Sequence, residues 1–374
     1  MFKKFKIDSK LLREMDWMIL ITSILILLYG VVNIYISSSK DGGYYAKLQL
    51  IWMVLGLIVV YFILLVDYSV VKNYVGLIYW ASIILLFSTI FIGSVVKGAR
   101  GWIALGNRAI QPAEFAKVGM MLMLAKKIDD MEGNINDFKN LATLIGYAAL
   151  PMILIVIQPD MGMTMVSFFI ALGILFVAGL NYKVILGGFV SLFFSVLMVW
   201  NSPIMPDYWK RRLTSFIHPE GDELDSTLQL LQSQIGIGSG GFFGTGAPFR
   251  ESANTSYVSQ FVPESHTDFI FSILAENWGY IGAVLLLVLY GILVYRIIQA
   301  ARNSKDLFGS LICVGVASTF LFSILQNIGM TIGIMPITGI TLPLVSYGGS
   351  SVLTVFISIG MVLNISMRKK KIIF

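Results

Sequence analysis

Three carboxylates lie where apolar segments of this chain begin, and each belongs to a pattern typical of a helix start. The patterns are Gln111-Pro112-Ala113-Glu114, Gln158-Pro159-Asp160 and Ser265-His266-Thr267-Asp268. A proline at the first helical position favours such a start, and Leu342-Pro343 begins a further apolar segment in the same way. Because helix N-termini attract phosphate and carboxylate groups, the four starts predict a surface for an anionic, phosphate-bearing ligand.

Each carboxylate also has a purely structural interpretation. Glu114 and Lys117 are spaced i, i+3 and can pair on one helix face, which would offset the cost of roughly 2.5–3.5 kcal/mol for each charge inside a membrane. Asp160 can cap its own helix, and Ser265 with Asp268 matches an S-x-x-D capping box. Ionisable groups inside a membrane are functional by default, so we expect Glu114 and Lys117 to line a cavity.

Basic residues in two loops could contact the phosphates of such a ligand. Arg100 lies in a short loop, and the run Lys210-Arg211-Arg212 lies in the loop 202–267, where it can equally be a solvated surface. The glycine-rich stretch 236–246 lacks the lysine and the strand of a nucleotide-binding P-loop. With two histidines and one cysteine, a zinc site is not expected. We expect Glu276 to be a buried hydrogen-bonding residue.

The segments that position these residues are long and apolar. Apolar types make up 57% of the 374 residues, charged types make up 13%, and the mean hydropathy is +0.81, whereas soluble domains carry about 25% charged residues. A membrane-spanning helix needs about 20 mostly apolar residues. The sequence therefore predicts an all-α integral membrane protein with about ten transmembrane helices, at residues 17–36, 46–66, 74–95, 111–126, 141–157, 160–180, 183–201, 268–297, 307–334 and 342–367.

The distribution of basic residues predicts the orientation of the chain. Most Lys and Arg residues outside the spans fall on the side that carries both termini, and the majority side is cytoplasmic. We therefore predict an N-in/C-in arrangement, with the loop 202–267 between spans 7 and 8 on the extracellular side. Its aromatic and aliphatic residues predict partial order. We expect residues 1–374 to form a single polytopic membrane domain.

Sequence strings around these helix starts resemble the SEDS family (shape, elongation, division and sporulation). The strings occur in the family's order, cover nearly the whole chain, and are specific in combination. Phe115, the stretch Arg212–Phe216 and the stretch Pro336–Gly339 favour the elongation branch over the division branch. The matching strings are Gly98–Ile103, Gln111–Lys117, Gln158–Gly162, Gln232–Gly244, Pro263–Phe271 and Leu342–Ser351.

The resemblance implies a peptidoglycan glycosyltransferase that polymerises lipid II at the outer face of the bacterial cytoplasmic membrane. The family's essential aspartate falls on Asp268, and its conserved acid and lysine fall on Glu114 and Lys117. Asp268 would take the proton from the acceptor 4-hydroxyl while undecaprenyl pyrophosphate leaves. Arg100, Lys117 or the run 210–212 would stabilise the pyrophosphate, as could a divalent cation such as Mg²⁺ or Mn²⁺.

Two departures from the family pattern and several alternatives accompany this interpretation. Gly101 stands where a second basic residue is common, and Asn277 where a second acid is common. The resemblance implies a class B penicillin-binding protein, a transpeptidase, as partner, together with membrane lipids; no nucleic-acid partner is expected. A lipid II flippase, an inactive scaffold for a partner enzyme, and a division-type or sporulation-type paralogue stay open as alternatives.

Overall fold

The structure is a computed structural model of the chain, which describes residues 7–38, 42–96, 99–106, 108–200, 210, 225–246, 256–263 and 265–369. The described residues form ten long helices, three shorter helices and one small sheet. The helices are α1 (Ser9–Glu14), α2 (Trp17–Ser37), α3 (Tyr44–Leu65), α4 (Tyr68–Ile92), α5 (Pro112–Asp130), α6 (Phe138–Ile157), α7 (Met161–Val177), α8 (Tyr182–Trp200), α9 (Asp225–Ser239), α10 (Tyr257–Phe261), α11 (Ile270–Arg302), α12 (Leu307–Thr331) and α13 (Gly349–Ser366).

Each of the ten predicted spans coincides with one long helix, because a long apolar run is itself the signal for such a helix. These helices are α2 to α8 and α11 to α13. Among the described residues, seven helices are long and apolar enough to cross a membrane, namely α2, α3, α4, α6, α11, α12 and α13. The all-α membrane fold is confirmed, whereas the count of ten spans and the N-in/C-in orientation stay predictions.

Two of the four predicted helix starts differ from the structure. Pro112 occupies the first turn of α5 as expected, and Asp160 is the N-cap of α7, with Pro159 one residue before it. Helix α11 begins at Ile270, after Asp268. Helix α13 begins at Gly349 rather than at Leu342, and the segment before it is irregular.

Close packing against α2 explains the late start of α13. A Cβ atom on Gly30 would lie 2.6 Å from the Cα of Val345 and 3.0 Å from the carbonyl oxygen of Leu344. Leu344 itself has a φ of +68°, which a helix does not allow. The contact of this segment with α2, and not the local Leu342-Pro343 pattern, therefore determines where α13 begins.

A small antiparallel sheet, which the sequence analysis did not predict, occupies the loop before α5. Its strands are β1 (Ser94–Val96), β2 (Ala99–Leu105) and β3 (Arg108–Ile110), in the order β1-β2-β3. Leu105 pairs with Arg108, so only two residues form the turn, and the first of them, Gly106, has a φ of +62°. Gly-Asn between two strands is a hairpin signal, and this signal was available in the sequence.

The chain divides into two compact units, Met1–Asn73 with Leu224–Phe374, and Tyr74–Glu223. In the first unit, α13 packs against α3, and α11 packs against both α2 and α12. In the second unit, α5 packs against α6 and α7. The described part of the long loop contains α9 and α10, so the expected partial order is present there. The single-domain interpretation of 1–374 stays a prediction.

Candidate functional site

Asp268 lies in a turn that immediately precedes α11 in the first unit. The residue is 8% exposed. The predicted capping box is wrong: the N-cap of α11 is Phe269 and has no side-chain cap hydrogen bond, while the Ser265 hydroxyl hydrogen-bonds with the Ser37 hydroxyl at 2.9 Å. Asp268 is therefore not the N-cap residue of α11.

Three consecutive carbonyl oxygens of the Asp268 turn each accept a hydrogen bond from a different residue. The His266 oxygen accepts from the Tyr347 amide at 3.0 Å, the Thr267 oxygen accepts from the Ser346 hydroxyl at 2.6 Å, and the Asp268 oxygen accepts from the Asn327 side-chain amide at 2.8 Å. The sequence analysis missed Asn327 and Ser346. The sequence offered one signal for both residues, because each is a polar side chain within an apolar segment. Such side chains are costly in a membrane and are usually functional.

The glycine-rich segment after α9 inserts its backbone at a break in α11. Gly279 lies inside α11 with φ +64° and ψ −162°, so the backbone groups on either side of it lose their helical partners. The segment replaces these partners: Thr245 N–H donates to the Glu276 carbonyl at 3.0 Å, and Tyr280 N–H donates to the Gly241 carbonyl at 3.0 Å. Because buried backbone groups must be paired, this exchange fixes the long loop to the helix that follows Asp268.

This arrangement can be tested at Gly240, where the glycine-rich segment contacts the backbone of α11 directly. A Cβ on Gly240 would lie 2.1 Å from the Ala275 carbonyl oxygen, whereas a Cβ on Gly238 would meet nothing within 4 Å. Gly240→Ala should therefore lower the free energy of unfolding by about 1–3 kcal/mol or more, seen as a lower thermal unfolding midpoint. Gly238→Ala is the matched control and should leave the midpoint unchanged or slightly higher. Equal midpoints for the two variants would contradict the contact.

Glu276 provides a second attachment of the loop to α11. Its carboxylate is buried, with the residue 4% exposed. It accepts hydrogen bonds from the Ser256 hydroxyl at 2.6 Å, the Tyr257 amide at 2.6 Å and the Val258 amide at 3.1 Å, and so caps α10. The expectation of a buried hydrogen-bonding residue is confirmed, and these bonds satisfy backbone amides of the first turn of α10, which have no partner inside the helix.

In the second unit, Glu114 and Lys117 form the predicted pair on the first turns of α5. Lys117 Nζ lies 2.6 Å from Glu114 Oε2, and both side chains are less than 10% exposed. A buried ion pair gains Coulomb energy at the expense of desolvating both charges, so its net contribution to stability is small. The pair is therefore weak as a stabilising device, and its role in lining a cavity stays a prediction.

The starts of α5 and α7 are linked through the third predicted acid. Asp160 Oδ1 accepts from the Met163 amide at 3.0 Å, as predicted for a cap, and Asp160 Oδ2 accepts from Gln111 Nε2 at 3.0 Å. Gln158 is buried beside them, and its Nε2 donates to the Thr89 hydroxyl at 2.6 Å. The structure thus brings Gln111, the residue before Pro112, to Asp160.

The predicted basic residues are described only in part. Arg100 lies in β2, and Lys210 is half-buried. Arg211 and Arg212 lie outside the described residues, so their predicted contact with phosphate is not addressed. In the ranges that the structure describes, no group of three or more His, Cys, Asp or Glu side chains could hold a metal ion. The Mg²⁺ or Mn²⁺ ion stays a prediction.

Comparison with known proteins identifies the family. Residues 16–371 match the family described as cell cycle protein FtsW/RodA/SpoVE. The chain belongs to this family. Stage V sporulation protein E of Bacillus subtilis is 34% identical, over 94% of this chain and 96% of its own length. Peptidoglycan glycosyltransferase RodA of Treponema pallidum is 31% identical, over 95% of this chain and 98% of its own length.

Solved structures of family members have the same fold. One, reported under the words "structural coordination of polymerization and crosslinking by a peptidoglycan synthase complex", is 31% identical, covers 94% of this chain and 97% of its own, and has a TM-score of 0.81. The rod shape determining protein RodA of Thermus thermophilus is 28% identical over 96% of this chain and 98% of its own, with a TM-score of 0.71. The fold and the family predicted by the sequence strings are both confirmed.

Proposed function

We propose that this protein is a peptidoglycan glycosyltransferase that polymerises lipid II into glycan strands for cell elongation. One observation carries the proposal: proteins named peptidoglycan glycosyltransferase match nearly the full length of the chain. It is supported by the buried Asp268, which lies in a turn fixed by three hydrogen bonds. The protein is a multi-pass membrane protein, and we place the reaction at the outer face of the bacterial cytoplasmic membrane.

Asp268 acts as general base in this reaction. Its carboxylate takes the proton from the 4-hydroxyl of the acceptor sugar, the hydroxyl oxygen forms a bond to C1 of the donor sugar, and the bond from C1 to the pyrophosphate oxygen breaks, with inversion at C1. Glycoside hydrolases need two carboxylates because a sugar leaving group must be protonated. Pyrophosphate leaves without a proton, so one base is sufficient, and such a base contributes about 10²–10⁴-fold to the rate.

In this proposal, the charged residues named from the sequence bind the substrate. Lys117, paired with Glu114 at 2.6 Å, contacts the charged part of lipid II, and Asp160 holds the neighbouring helix start through Gln111. Arg100 and the run Lys210–Arg212 supply further positive charge to the pyrophosphate. Positive groups that face developing negative charge are among the largest contributions to catalysis.

The partner is a class B penicillin-binding protein that cross-links the new strand. The support is that a structurally similar chain comes from a peptidoglycan synthase complex that coordinates polymerization and crosslinking. Assignment to the elongation branch rests on the Phe115, Arg212–Phe216 and Pro336–Gly339 features of the sequence. Relatives from the sporulation and elongation branches are 34% and 31% identical, and so identity alone does not separate the branches.

The deciding experiment uses the purified full-length protein in liposomes that contain fluorescent lipid II. Glycosyltransferase activity releases undecaprenyl pyrophosphate and forms a polymer. Lysozyme digests that polymer, which identifies it as glycan. A flippase would instead move lipid II between leaflets and give no polymer, and that result would reverse the proposal. A scaffold would give neither product alone, and polymer would then appear with the partner whether or not Asp268 is intact.

A further inference from the structure

We propose that Asn327 and Ser346 are positioning residues for Asp268, which fix the place of its carboxylate by holding the backbone of its turn. The inference rests on the proposed function of Asp268 as general base. Neither residue touches the reacting atoms in this proposal. They act on the carbonyl groups next to the catalytic side chain.

Asn327 joins the Asp268 turn to the irregular segment before α13. Its Nδ2 donates to the Asp268 carbonyl at 2.8 Å and to the Ile340 carbonyl at 2.7 Å, and the residue is 0% exposed. Both amide protons are therefore used on two carbonyls from distant parts of the chain. Because the reversed amide would present an oxygen to two carbonyl oxygens, the side chain has one acceptable orientation.

Ser346 makes the equivalent link one residue earlier in the turn. Its hydroxyl donates to the Thr267 carbonyl at 2.6 Å and accepts from the Leu342 amide at 2.8 Å. The Ser346 carbonyl accepts from Gln49 Nε2 at 3.0 Å, so α3 holds the donor itself in place. The turn is thus held from α12, through Asn327, and from the segment 340–348, through Ser346.

This arrangement matters for turnover more than for binding. A general base must lie within hydrogen-bond reach of the proton that it takes, and misplacement by about 1 Å can lower a rate by about 10²-fold. Loss of either donor removes a hydrogen bond that fixes a carbonyl of the turn, so the backbone there moves. The carboxylate moves with it, while residues that bind the rest of the substrate keep their places.

Asn364 provides a matched control within the same unit. It is also 0% exposed, and its Nδ2 also bridges two carbonyls, those of Ile63 and Val66, at 2.6 Å each. It lies near the end of α13, whereas the Asp268 turn adjoins the segment that precedes α13. Its Oδ1 also accepts from the Tyr68 amide at 3.2 Å and from Arg368 Nη1 at 2.6 Å. Asn364→Ala therefore removes the same kind of bridge, together with these two bonds, from a buried site that does not hold Asp268.

The experiment compares Asn327→Ala, Ser346→Ala, Asn364→Ala and Asp268→Asn in the full-length protein, measuring kcat and KM for lipid II and the thermal unfolding midpoint. Asn327→Ala and Ser346→Ala should lower kcat by about 10²-fold with little change in KM. Asn364→Ala should lower the midpoint at least as much as Asn327→Ala and keep kcat. Ser346→Ala deletes a single hydroxyl and decides the question alone if Asn327→Ala does not fold.

Two results overturn the inference, and a third overturns the proposed function instead. Retention of kcat by Asn327→Ala and Ser346→Ala shows that the turn does not need them. An equal loss of kcat in Asn364→Ala shows that any such buried link has the same effect, so that the role is structural. If Asp268→Asn itself keeps wild-type kcat, the base assignment fails, whatever the other variants do.

Discussion

Asp268→Ala is expected to lower the rate of lipid II polymerisation by about 10²–10⁴-fold, the usual contribution of a positioned general base. The carboxylate is the group that takes the acceptor proton, and alanine cannot replace it. The backbone bonds that hold the turn come from Asn327, Ser346 and Tyr347 to carbonyl oxygens, and an alanine keeps those carbonyls. The variant should therefore keep the hydrogen bonds that hold the turn, fold, and bind lipid II.

Two variants control this measurement. Asp268→Asn keeps the shape of the side chain and removes its basicity, so it should be as inactive as Asp268→Ala. Asp306→Asn changes an aspartate at the opposite end of α12 from Asn327, where Oδ1 accepts from the Gly309 amide at 2.8 Å and Oδ2 from the Tyr68 hydroxyl at 2.9 Å. It should lose some stability and keep its turnover. Polymerisation at near wild-type rate by folded Asp268→Asn would end the assignment of Asp268 as base.

The sequence was sufficient for the helices because each long helix is an apolar run whose length is its own signal. It was less reliable where backbone contacts between distant segments decide the local structure. The late start of α13 follows from the approach of Leu344 and Val345 to Gly30. The break at Gly279 follows from the docking of the 241–246 segment, and a single glycine in an apolar run does not distinguish a break from a tolerated helical residue.

The candidate site was predictable where its residues pair locally. Glu114 and Lys117 are three residues apart on one helix, so their contact follows from helical geometry, and the structure has it. Asn327 and Ser346 contact Asp268 and Thr267 from 59 and 79 residues away, and no spacing rule predicts such pairs. The predicted capping by Asp268 failed for a related reason, since Ser265 bonds with the distant Ser37 instead.

Lys117→Met is expected to lower the free energy of unfolding by about 3–5 kcal/mol, because it leaves Glu114 buried without its opposite charge. The double variant Glu114→Gln, Lys117→Met removes both charges and keeps similar volumes, so it should recover most of that loss. Thermal unfolding in detergent measures both effects. If the pair only offsets the cost of two charges within the membrane, the double variant should polymerise lipid II normally.

We expect the double variant to fold and to be a poor enzyme, because Lys117 contacts the charged part of lipid II. Hydrogen bonds to charged groups contribute about 1.5–3 kcal/mol, which corresponds to a loss of about 10- to 100-fold in kcat/KM. The control is a different ion pair, which lies in the first unit and joins Asp16 to Arg296 at 2.8 Å. Arg296 lies toward the end of α11 that is opposite to Asp268. Asp16→Asn, Arg296→Met should keep kcat/KM. Wild-type kcat/KM in the Glu114→Gln, Lys117→Met enzyme would assign that pair a structural role alone.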